Sequence, residues 1–337
     1  MHSRSSLLVL LFSGLVACAT PTGSDAVGSD VSALTAESAS ATWTELAPAK
    51  HPGARSGAAM AYDPTSRKLV LFGGYDGVHR DDTWVFDGVT WTRVRPPVSP
   101  PGRASAAFAL DDKSGKLVLF GGYDGRDDLG DTWLWDGATS TWVDAHPTHA
   151  PTARTMVAGF ADPTSRRAHV LGGFIGSLAR YSNEMWRWTG NDWQQRTPAH
   201  LPTGRAAMFC ATDPIRKTVT VFGGLAQIDP VNTWTWDGAD WTRETPAAQP
   251  PWRYLPGGAY DPGLAGVVLF GGGNGGVSAN DTWVWSGTTW TQASTSGPAP
   301  RENVGLALFE PTSTVVLFGG EKGGSTRLYG DTWTLSP

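Results

Sequence analysis

The sequence predicts an all-β fold, a six-bladed β-propeller in which an N-terminal strand closes the last blade. Three observations support this fold class: six Gly-Gly pairs recur every 48 to 51 residues, a short apolar segment precedes each pair, and tryptophans follow at fixed positions. The apolar segments lack helical periodicity, which indicates strands. Repeats of about 50 residues that contain four strands are typical of propeller blades.

The composition excludes several other classes of protein. The chain has 337 residues, of which 17 are tryptophan and only 2 are cysteine, with 17% charged residues and a net charge of -5. Two cysteines cannot build a disulfide-rich scaffold, and 40% apolar residues are too many for a disordered tail. The negative net charge offers no basic surface for nucleic acid. After residue 17 no apolar segment approaches the roughly 20 residues of a transmembrane helix.

The first 17 residues are predicted to be an export signal, because a short polar start is followed by an apolar run and then by small residues. The segment Leu15-Val16-Ala17-Cys18 resembles a bacterial lipoprotein signal, whose cysteine is lipidated and becomes the first residue. We therefore expect Cys18 to anchor an exported protein in the bacterial cell envelope, at the outer membrane or in the periplasm. Ordinary cleavage after Ala19, which would release a secreted protein, is the alternative. Residues 18–42 are predicted to be a flexible tether, and residues 43–337 the propeller.

The first two strands of each blade are predicted from an arginine and an acidic residue that follows eight or nine positions later. The segment between them is strand a, and the apolar segment before Gly-Gly is strand b. In five repeats Pro follows the acid, which is typical of a turn that joins two strands as a hairpin. The arginines are Arg55, Arg103, Arg154, Arg205, Arg253 and Arg301, and the acids are Asp63, Asp111, Asp162, Asp213, Asp261 and Glu310.

Strands c and d are predicted from the tryptophans after each Gly-Gly pair. Strand c begins at an Asp-Thr-Trp motif or a variant of it, a tight turn follows that is most often Asp-Gly, and strand d carries a further tryptophan. We interpret these tryptophans as packing residues between blades that splay apart with radius. Trp43 precedes Arg55 by the same 12 residues that separate Trp91 from Arg103, so the chain is expected to begin with a lone strand d that completes the sixth blade.

The succession of apolar strand, Gly-Gly and spaced tryptophan resembles the kelch repeat family over residues 43–337, including exported bacterial kelch-repeat lipoproteins and the central domain of galactose oxidase. Blade three departs from the pattern, since Leu171 replaces Phe before Gly-Gly and Glu184-Met185 replaces Asp-Thr. The resemblance extends to enzymes that use copper or iron or that epimerise sialic acid, but none of their site motifs is found here. Cys210, the only cysteine of the propeller, is expected to be a small buried residue on an inner strand.

We expect function on the face formed by the d–a and b–c loops, which we call the long-loop face. The connections on the other face are tight turns, whereas the loops of this face are longer and differ between blades. Aromatic residues and arginines that break the repeat are typical of recognition surfaces. The predicted ligand-binding residues are Tyr75, Tyr123, Arg126, Arg180, Tyr181, Trp252, Arg253, Tyr254, Arg327 and Tyr329.

Two further groups of residues on this face have alternative interpretations. His51, His79, His146, His149 and His200 are candidate ligands of a divalent metal, although no pair has a recognisable ligand spacing. The six opening arginines could bind an anion. A residue repeated in every blade is better explained as a structural part that bonds loop carbonyls or the acid that opens strand c.

The sequence therefore predicts an exported, lipid-anchored binding module for a protein or a glycan, with no assigned catalytic residue and no assigned cofactor. We expect a monomer that binds no nucleic acid and contacts a membrane only through its anchor. The alternative is a metal-dependent enzyme of the oxidase, lyase or isomerase type, with a histidine-rich site on the same face.

Overall fold

The computed structural model describes residues 41–337, and the predicted export signal, Cys18 and the tether up to residue 40 lie outside these residues. Residues 41–337 form six antiparallel four-stranded sheets, which confirms the six-bladed propeller. The first strand starts at Thr42, one residue earlier than predicted. No helix among residues 41–337 is long and apolar enough to cross a membrane.

The first three blades follow the predicted order of strands a, b, c and d. The chain enters with β1 (Thr42–Leu46), which belongs to blade six. Blade one consists of β2 (Ala59–Asp63), β3 (Lys68–Phe72), β4 (Thr83–Phe86) and β5 (Trp91–Val94). Blade two consists of β6 (Ala107–Asp111), β7 (Lys116–Phe120), β8 (Thr132–Asp136) and β9 (Thr141–Asp144). Blade three consists of β10 (Ala158–Asp162), β11 (Arg167–Leu171), the short loop strands β12 (Phe174–Ile175) and β13 (Arg180–Tyr181), β14 (Met185–Trp188) and β15 (Trp193–Arg196).

The last three blades repeat this order and add short strands in their loops. Blade four consists of the short β16 (Arg205–Ala206), β17 (Phe209–Asp213), β18 (Thr218–Phe222), the short β19 (Leu225–Ala226), β20 (Thr233–Trp236) and β21 (Trp241–Glu244). Blade five consists of β22 (Gly257–Asp261), β23 (Gly266–Phe270), the short β24 (Gly273–Asn274) and β25 (Val277–Ser278), β26 (Thr282–Trp285) and β27 (Trp290–Ser294). Blade six contributes β28 (Gly305–Phe309), β29 (Thr314–Phe318) and β30 (Thr332–Ser336). Two single-turn 3-10 helices cover Gly176–Leu178 and Glu310–Thr312.

Strand β1 closes the ring by pairing with β30, so that the sheet of blade six has the order β28, β29, β30, β1. Trp43 lies opposite Leu335, and Glu45 lies opposite Trp333. The first and last strands of the propeller are therefore hydrogen-bonded neighbours, which confirms the predicted closure.

The core is divided into six apolar clusters, one between each pair of neighbouring blades. Between blades one and two, Phe72 packs with Leu117 and Trp135. Strand a of each blade packs against strand a of both neighbours, so the backbones approach closely near the axis. A Cβ on Gly159 would lie only 2.9 Å from the Cβ of Ala107, which explains why small residues occupy these inner strands.

The strand d tryptophans also hydrogen-bond to the neighbouring blade. Trp142 of blade two donates its indole N–H to Oγ1 of Thr83 in blade one at 2.9 Å, and the acceptor is the threonine of Asp-Thr-Trp. Equivalent bonds join Trp91 to Thr332, Trp193 to Thr132, Trp290 to Thr233 and Trp43 to Thr282. In blade three Met185 replaces the threonine, and Trp241 donates to its Sδ at 3.4 Å. These bonds, which the sequence analysis did not predict, link each blade to the next around the whole ring.

Candidate functional site

The opening arginines hold the long loops in place from inside the molecule. In blade two, Arg103 donates to both carboxylate oxygens of Asp131 at 2.6 and 2.7 Å, and also to the carbonyls of Gly121 and Pro101. Burial alone would raise the pKa of Asp131, but Arg103 and a hydrogen bond from Trp133 hold it below its usual value. The same clamp joins Arg55 to Asp82, Arg154 to Glu184, Arg253 to Asp281 and Arg301 to Asp331.

This clamp gives the arginines the structural role that the repeat predicted. It also corrects the assignment of Arg253 to the ligand-binding residues, because Arg253 is only 3% exposed and its four hydrogen bonds are all made within its own blade. A ligand on the surface cannot reach a guanidinium in this position.

Blade four lacks the carboxylate of the clamp. Arg205 donates to Oδ1 of Asn232 at 3.0 Å, and burial lowers the pKa of Arg205 to about 10. The indole N–H of Trp234, which in the other blades reaches the acid, has no partner among residues 41–337. The clamp of blade four therefore lacks the hydrogen bonds to a carboxylate that the other five clamps contain.

A closed ring of six backbone hydrogen bonds surrounds the axis on the long-loop face. Gly57 donates to Asn303, Ser105 to Gly57, Met156 to Ser105, Ala207 to Met156, Leu255 to Ala207 and Asn303 to Leu255, at 2.7 to 3.0 Å. All six residues have φ between 52° and 63°, a left-handed conformation that turns each N–H toward the next blade. The ring frames the mouth of a narrow central channel lined by strand a and its approach segment.

Two predicted residues and one candidate metal ligand meet in a cleft between blades one and two. The rings of Tyr75 and His79 have centroids 5.0 Å apart, and the rings of His79 and Tyr123 are 5.5 Å apart in an edge-to-face arrangement. Tyr75 is 38% exposed and Tyr123 is 37% exposed, although both are large aromatic residues. Together with Gly77 and Gly125 they line an open cleft of ≈ 520 Å³, which we call the tyrosine cleft.

The tyrosine cleft has an acidic surround and an uncharged base. Burial lowers the pKa of His79, with Asp124 opposing this effect, and this shift favours the uncharged imidazole. Asp124 accepts the backbone N–H groups of Arg126 and Asp127 at 2.8 Å, and these bonds lower its pKa. The cleft thus combines aromatic faces, a neutral hydrogen-bonding ring and ionised carboxylates at its edge.

A family model described as the KLHDC2/KLHL20/DRC7 Kelch-repeats domain matches residues 8–224, more than half of the chain. The chain belongs to the kelch-repeat family. The solved structure of YjhT aligns with a TM-score of 0.66 at 15% sequence identity, over 86% of this chain and 99% of that chain, and at this identity the likeness concerns the fold alone. No curated protein matches the chain.

The other predicted ligand residues of this kelch propeller lie in separate places. The rings of Trp252 and Tyr254 pack edge to face, with their centroids 5.8 Å apart. The indole N–H of Trp252 donates a hydrogen bond to the carbonyl of Gly224 at 2.9 Å. The ring of Tyr181 packs against the ring of Phe174, with their centroids 5.4 Å apart. Arg180 lies exposed with one nitrogen 3.6 Å from Glu184. The fully solvated Arg126 pairs with Asp127 at 3.4 Å.

Tyr329 is a further correction to the predicted ligand residues. It is only 7% exposed, because the guanidinium of Arg301 lies 3.9 Å above its ring and its hydroxyl donates to the carbonyl of Pro300. Arg327 covers the ring from 5.0 Å and remains exposed. Tyr329 therefore supports the clamp of blade six, and only Arg327 of this pair is accessible to a ligand.

The candidate metal ligands are not brought together. The imidazoles of His149 and His200 bond Asp192 and Asp240 at 2.8 and 2.7 Å, and both aspartates lie in c–d turns of the following blade. Their placement on the long-loop face was wrong, because the d–a loop first crosses toward the c–d turn of the next blade before it reaches strand a. His146 lies 3.4 Å from Asp144, and His51 contacts the carbonyl of Pro52. Within residues 41–337 no three His, Cys, Asp or Glu side chains converge in a way that could hold a metal.

Sequence reasoning missed a buried carboxyl on the same face. Glu302 is 7% exposed, and burial together with repulsion from Glu321 raises its pKa to about 7, with Ser278 opposing. Its Oε2 has no hydrogen-bond partner by geometry among residues 41–337. A signal was present in the sequence, because Glu302 follows the opening arginine of its blade, where the other blades carry uncharged residues.

Cys210, the one cysteine among residues 41–337, lies on an inner strand as expected but is half-buried. Cys210 lies on β17 beside the central channel, and burial raises the pKa of its thiol to about 12. A thiol that is protonated at all ordinary pH values is a poor nucleophile and a poor metal ligand.

Proposed function

We propose that this kelch propeller is an exported, lipid-tethered binding module that recognises a protein or a glycan through its long-loop face. Kelch propellers commonly serve as protein-binding modules. The observation that carries the proposal is the pair of exposed tyrosines, Tyr75 and Tyr123, held beside each other on this face. Exposed aromatic side chains on a rigid scaffold are the usual anchors of a recognition surface.

The rigidity of the face supports recognition. The arginine clamps hold both ends of the b–c loops, and the backbone ring joins the blades to one another. A surface that is ordered before it meets its ligand loses little conformational entropy on binding. The proposal assigns binding to this face and no catalytic step.

A capture experiment with the purified protein tests the proposal. A variant of the long-loop face, Tyr75→Ala with Tyr123→Ala and Tyr254→Ala, is compared with a variant of the opposite face, Val89→Ala with Ile215→Ala, whose side chains are also exposed. Envelope proteins and a glycan array are offered to both. We expect the first variant to lose the captured ligand and the second to retain it. Equal capture by both variants would contradict the proposal.

The anchor is tested separately through Cys18. We expect the wild-type protein to incorporate labelled palmitate and to fractionate with membranes, and the Cys18→Ser variant to do neither, since the acyl chains attach at this residue. Mass spectrometry of the mature N-terminus provides the control. An unlipidated protein that begins at Ala19 or Thr20 would favour ordinary secretion instead.

A further inference from the structure

We infer that the tyrosine cleft binds an uncharged hexose unit of a glycan, with Tyr75 and Tyr123 as stacking faces and His79 as a hydrogen-bonding base. This inference rests on the proposed function and names the ligand class for one part of the long-loop face. It is carried by the shape of the cleft, by its unpartnered polar groups and by its charge.

The shape of the cleft suits a sugar ring. Tyr75 and Tyr123 are contributed by the b–c loops of neighbouring blades, each directly after Gly-Gly, with His79 between them. The cleft, of ≈ 520 Å³, is open to solvent and lined by five residues, so a sugar ring could lie against its aromatic side chains without being enclosed. The C–H groups on one face of a hexose are slightly positive and pack well on the negative face of an aromatic ring.

Backbone hydrogen bonds and a glycine hold the side chains of the cleft in position. The backbones of Ser56 and Tyr75 exchange two hydrogen bonds at 3.0 and 2.8 Å, and those of Ala104 and Tyr123 do the same at 3.0 and 2.9 Å. A Cβ on Gly125 would lie 2.8 Å from Nδ1 of His79, so only glycine lets the second loop pass this close to the imidazole. Gly125 also has φ of 100°, which disfavours any other residue.

The polar groups of the cleft are left for a ligand. Among residues 41–337, no protein hydrogen bond engages the ring nitrogens of His79 or the hydroxyls of Tyr75 and Tyr123. A neutral imidazole has one donor and one acceptor, and each phenol can act as both. Sugar hydroxyls require such mixed partners, whereas an apolar side chain of a protein partner would leave them unsatisfied.

The charge around the cleft selects against acidic sugars. Outside the arginine clamps, its two loops, residues 75–82 and 123–131, carry five aspartates and two arginines. Both arginines are paired with aspartates: Arg80 bonds Asp76 at 2.8 Å, and Arg126 pairs with Asp127. Ionised carboxylates accept hydrogen bonds from sugar hydroxyls but repel a carboxylate or sulfate on the ligand. We therefore expect neutral hexoses to bind and uronic or sialic acids to be rejected.

The test measures binding of defined sugars to the mature protein by saturation-transfer NMR and calorimetry. The probes are neutral disaccharides of glucose, galactose, mannose and N-acetylglucosamine, with glucuronic and sialic acid glycosides as charged counterparts. We expect at least one neutral probe to bind, Tyr123→Ala to weaken it by about tenfold or more, and Tyr123→Phe to change it by less than about threefold.

Gly125→Ala provides a second variant that keeps both tyrosines and fills the space beside His79, and it should also weaken binding. Ile215→Ala on the opposite face is the matched control and should bind as the wild type does. Melting temperatures of all variants establish that they are folded.

The inference is overturned if no neutral probe binds, if the charged probes bind better, or if Tyr75→Ala and Tyr123→Ala leave sugar binding unchanged. Capture of a protein that depends on the long-loop face, without any sugar binding, would overturn this inference and leave the proposed function intact. Loss of all face-dependent capture would remove both.

Discussion

At the scale of single residues, blade four shows what the acid of the clamp contributes. Replacing Asn232 by Asp gives Arg205 a carboxylate and gives the indole of Trp234 an acceptor, as in the other blades. We expect Asn232→Asp to raise the free energy of unfolding by about 1 to 3 kcal/mol, the range for a hydrogen bond to a charged group. Urea unfolding measures it. The reciprocal change Asp281→Asn in blade five should destabilise, and a loss of stability in Asn232→Asp would contradict the clamp argument.

The tryptophans fall into two classes that substitution can separate. Trp142 donates to Thr83 at 2.9 Å, whereas the indole N–H of the neighbouring Trp135 is buried without a partner in the described chain. Blade one already has phenylalanine, Phe86, at the position that corresponds to Trp135. Both substitutions remove the same atoms, but only Trp142→Phe also removes a hydrogen bond. We therefore expect Trp142→Phe to lower the free energy of unfolding by about 1 to 2 kcal/mol more than Trp135→Phe does.

Chemical denaturation of the two variants measures this difference. Thr83→Val, which removes the acceptor of this hydrogen bond, is the control. It should lower the free energy of unfolding when it is the only substitution, and should lower it much less when it is added to Trp142→Phe. Equal costs for the two tryptophans would show that only their packing matters.

The buried carboxyl of Glu302 predicts an unusual dependence of stability on pH. Its folded pKa of about 7 lies above the unfolded value of about 4.3, so the folded state retains a proton that the unfolded state has released between these values. Its contribution to the free energy of unfolding therefore falls as pH rises from about 4.3 to 7. Glu302→Gln, which cannot ionise, should gain about 2 kcal/mol over the wild type at pH 8 and little at pH 4.5.

Unfolding curves between pH 4.5 and 8 test this expectation. Glu321→Gln serves as the control, because removal of the repelling charge should lower the folded pKa of Glu302, so that the loss of stability becomes smaller and ends at a lower pH. Parallel pH profiles for the wild type and Glu302→Gln would contradict the assignment.

At the scale of elements, strand β1 is the one piece that joins the two ends of the propeller. Trp43 is buried between blades five and six and donates to Thr282 at 2.9 Å. We expect Trp43→Ala to lower the free energy of unfolding by about 3 to 5 kcal/mol. Deletion of residues 43–47 should destabilise the whole ring. Thr44→Ala, at an exposed position of the same strand, should change stability by less than about 0.5 kcal/mol. An unchanged melting temperature in Trp43→Ala would contradict the closure.

The four strands of each blade could be predicted because local patterns encode them. Asp-Pro and Asp-Gly turns, the apolar strand before Gly-Gly and the tryptophans of strands c and d all depend on neighbours in sequence. The course of the d–a loops could not be predicted in the same way. It depends on contacts such as that of His149 with Asp192, 43 residues apart, and these exist only after the next blade has folded.

At the scale of the whole molecule, the repeat predicted the ring but only part of the site. Tyr75 and Tyr123 were recognised because they break the repeat, yet their meeting with His79 follows from the angle between neighbouring blades, which no single repeat contains. Arg253 and Tyr329 were misassigned because the sequence does not distinguish an exposed loop residue from one covered by its own loop. Exposure on a propeller face is a property of the assembled ring.

The direction of β1 determines at which face the chain enters the propeller. β1 runs from the level of the c–d turns toward the d–a loops, so the chain enters the propeller at the face opposite the tyrosine cleft. A ligand bound in the tyrosine cleft therefore leaves the point at which the chain enters the propeller uncovered.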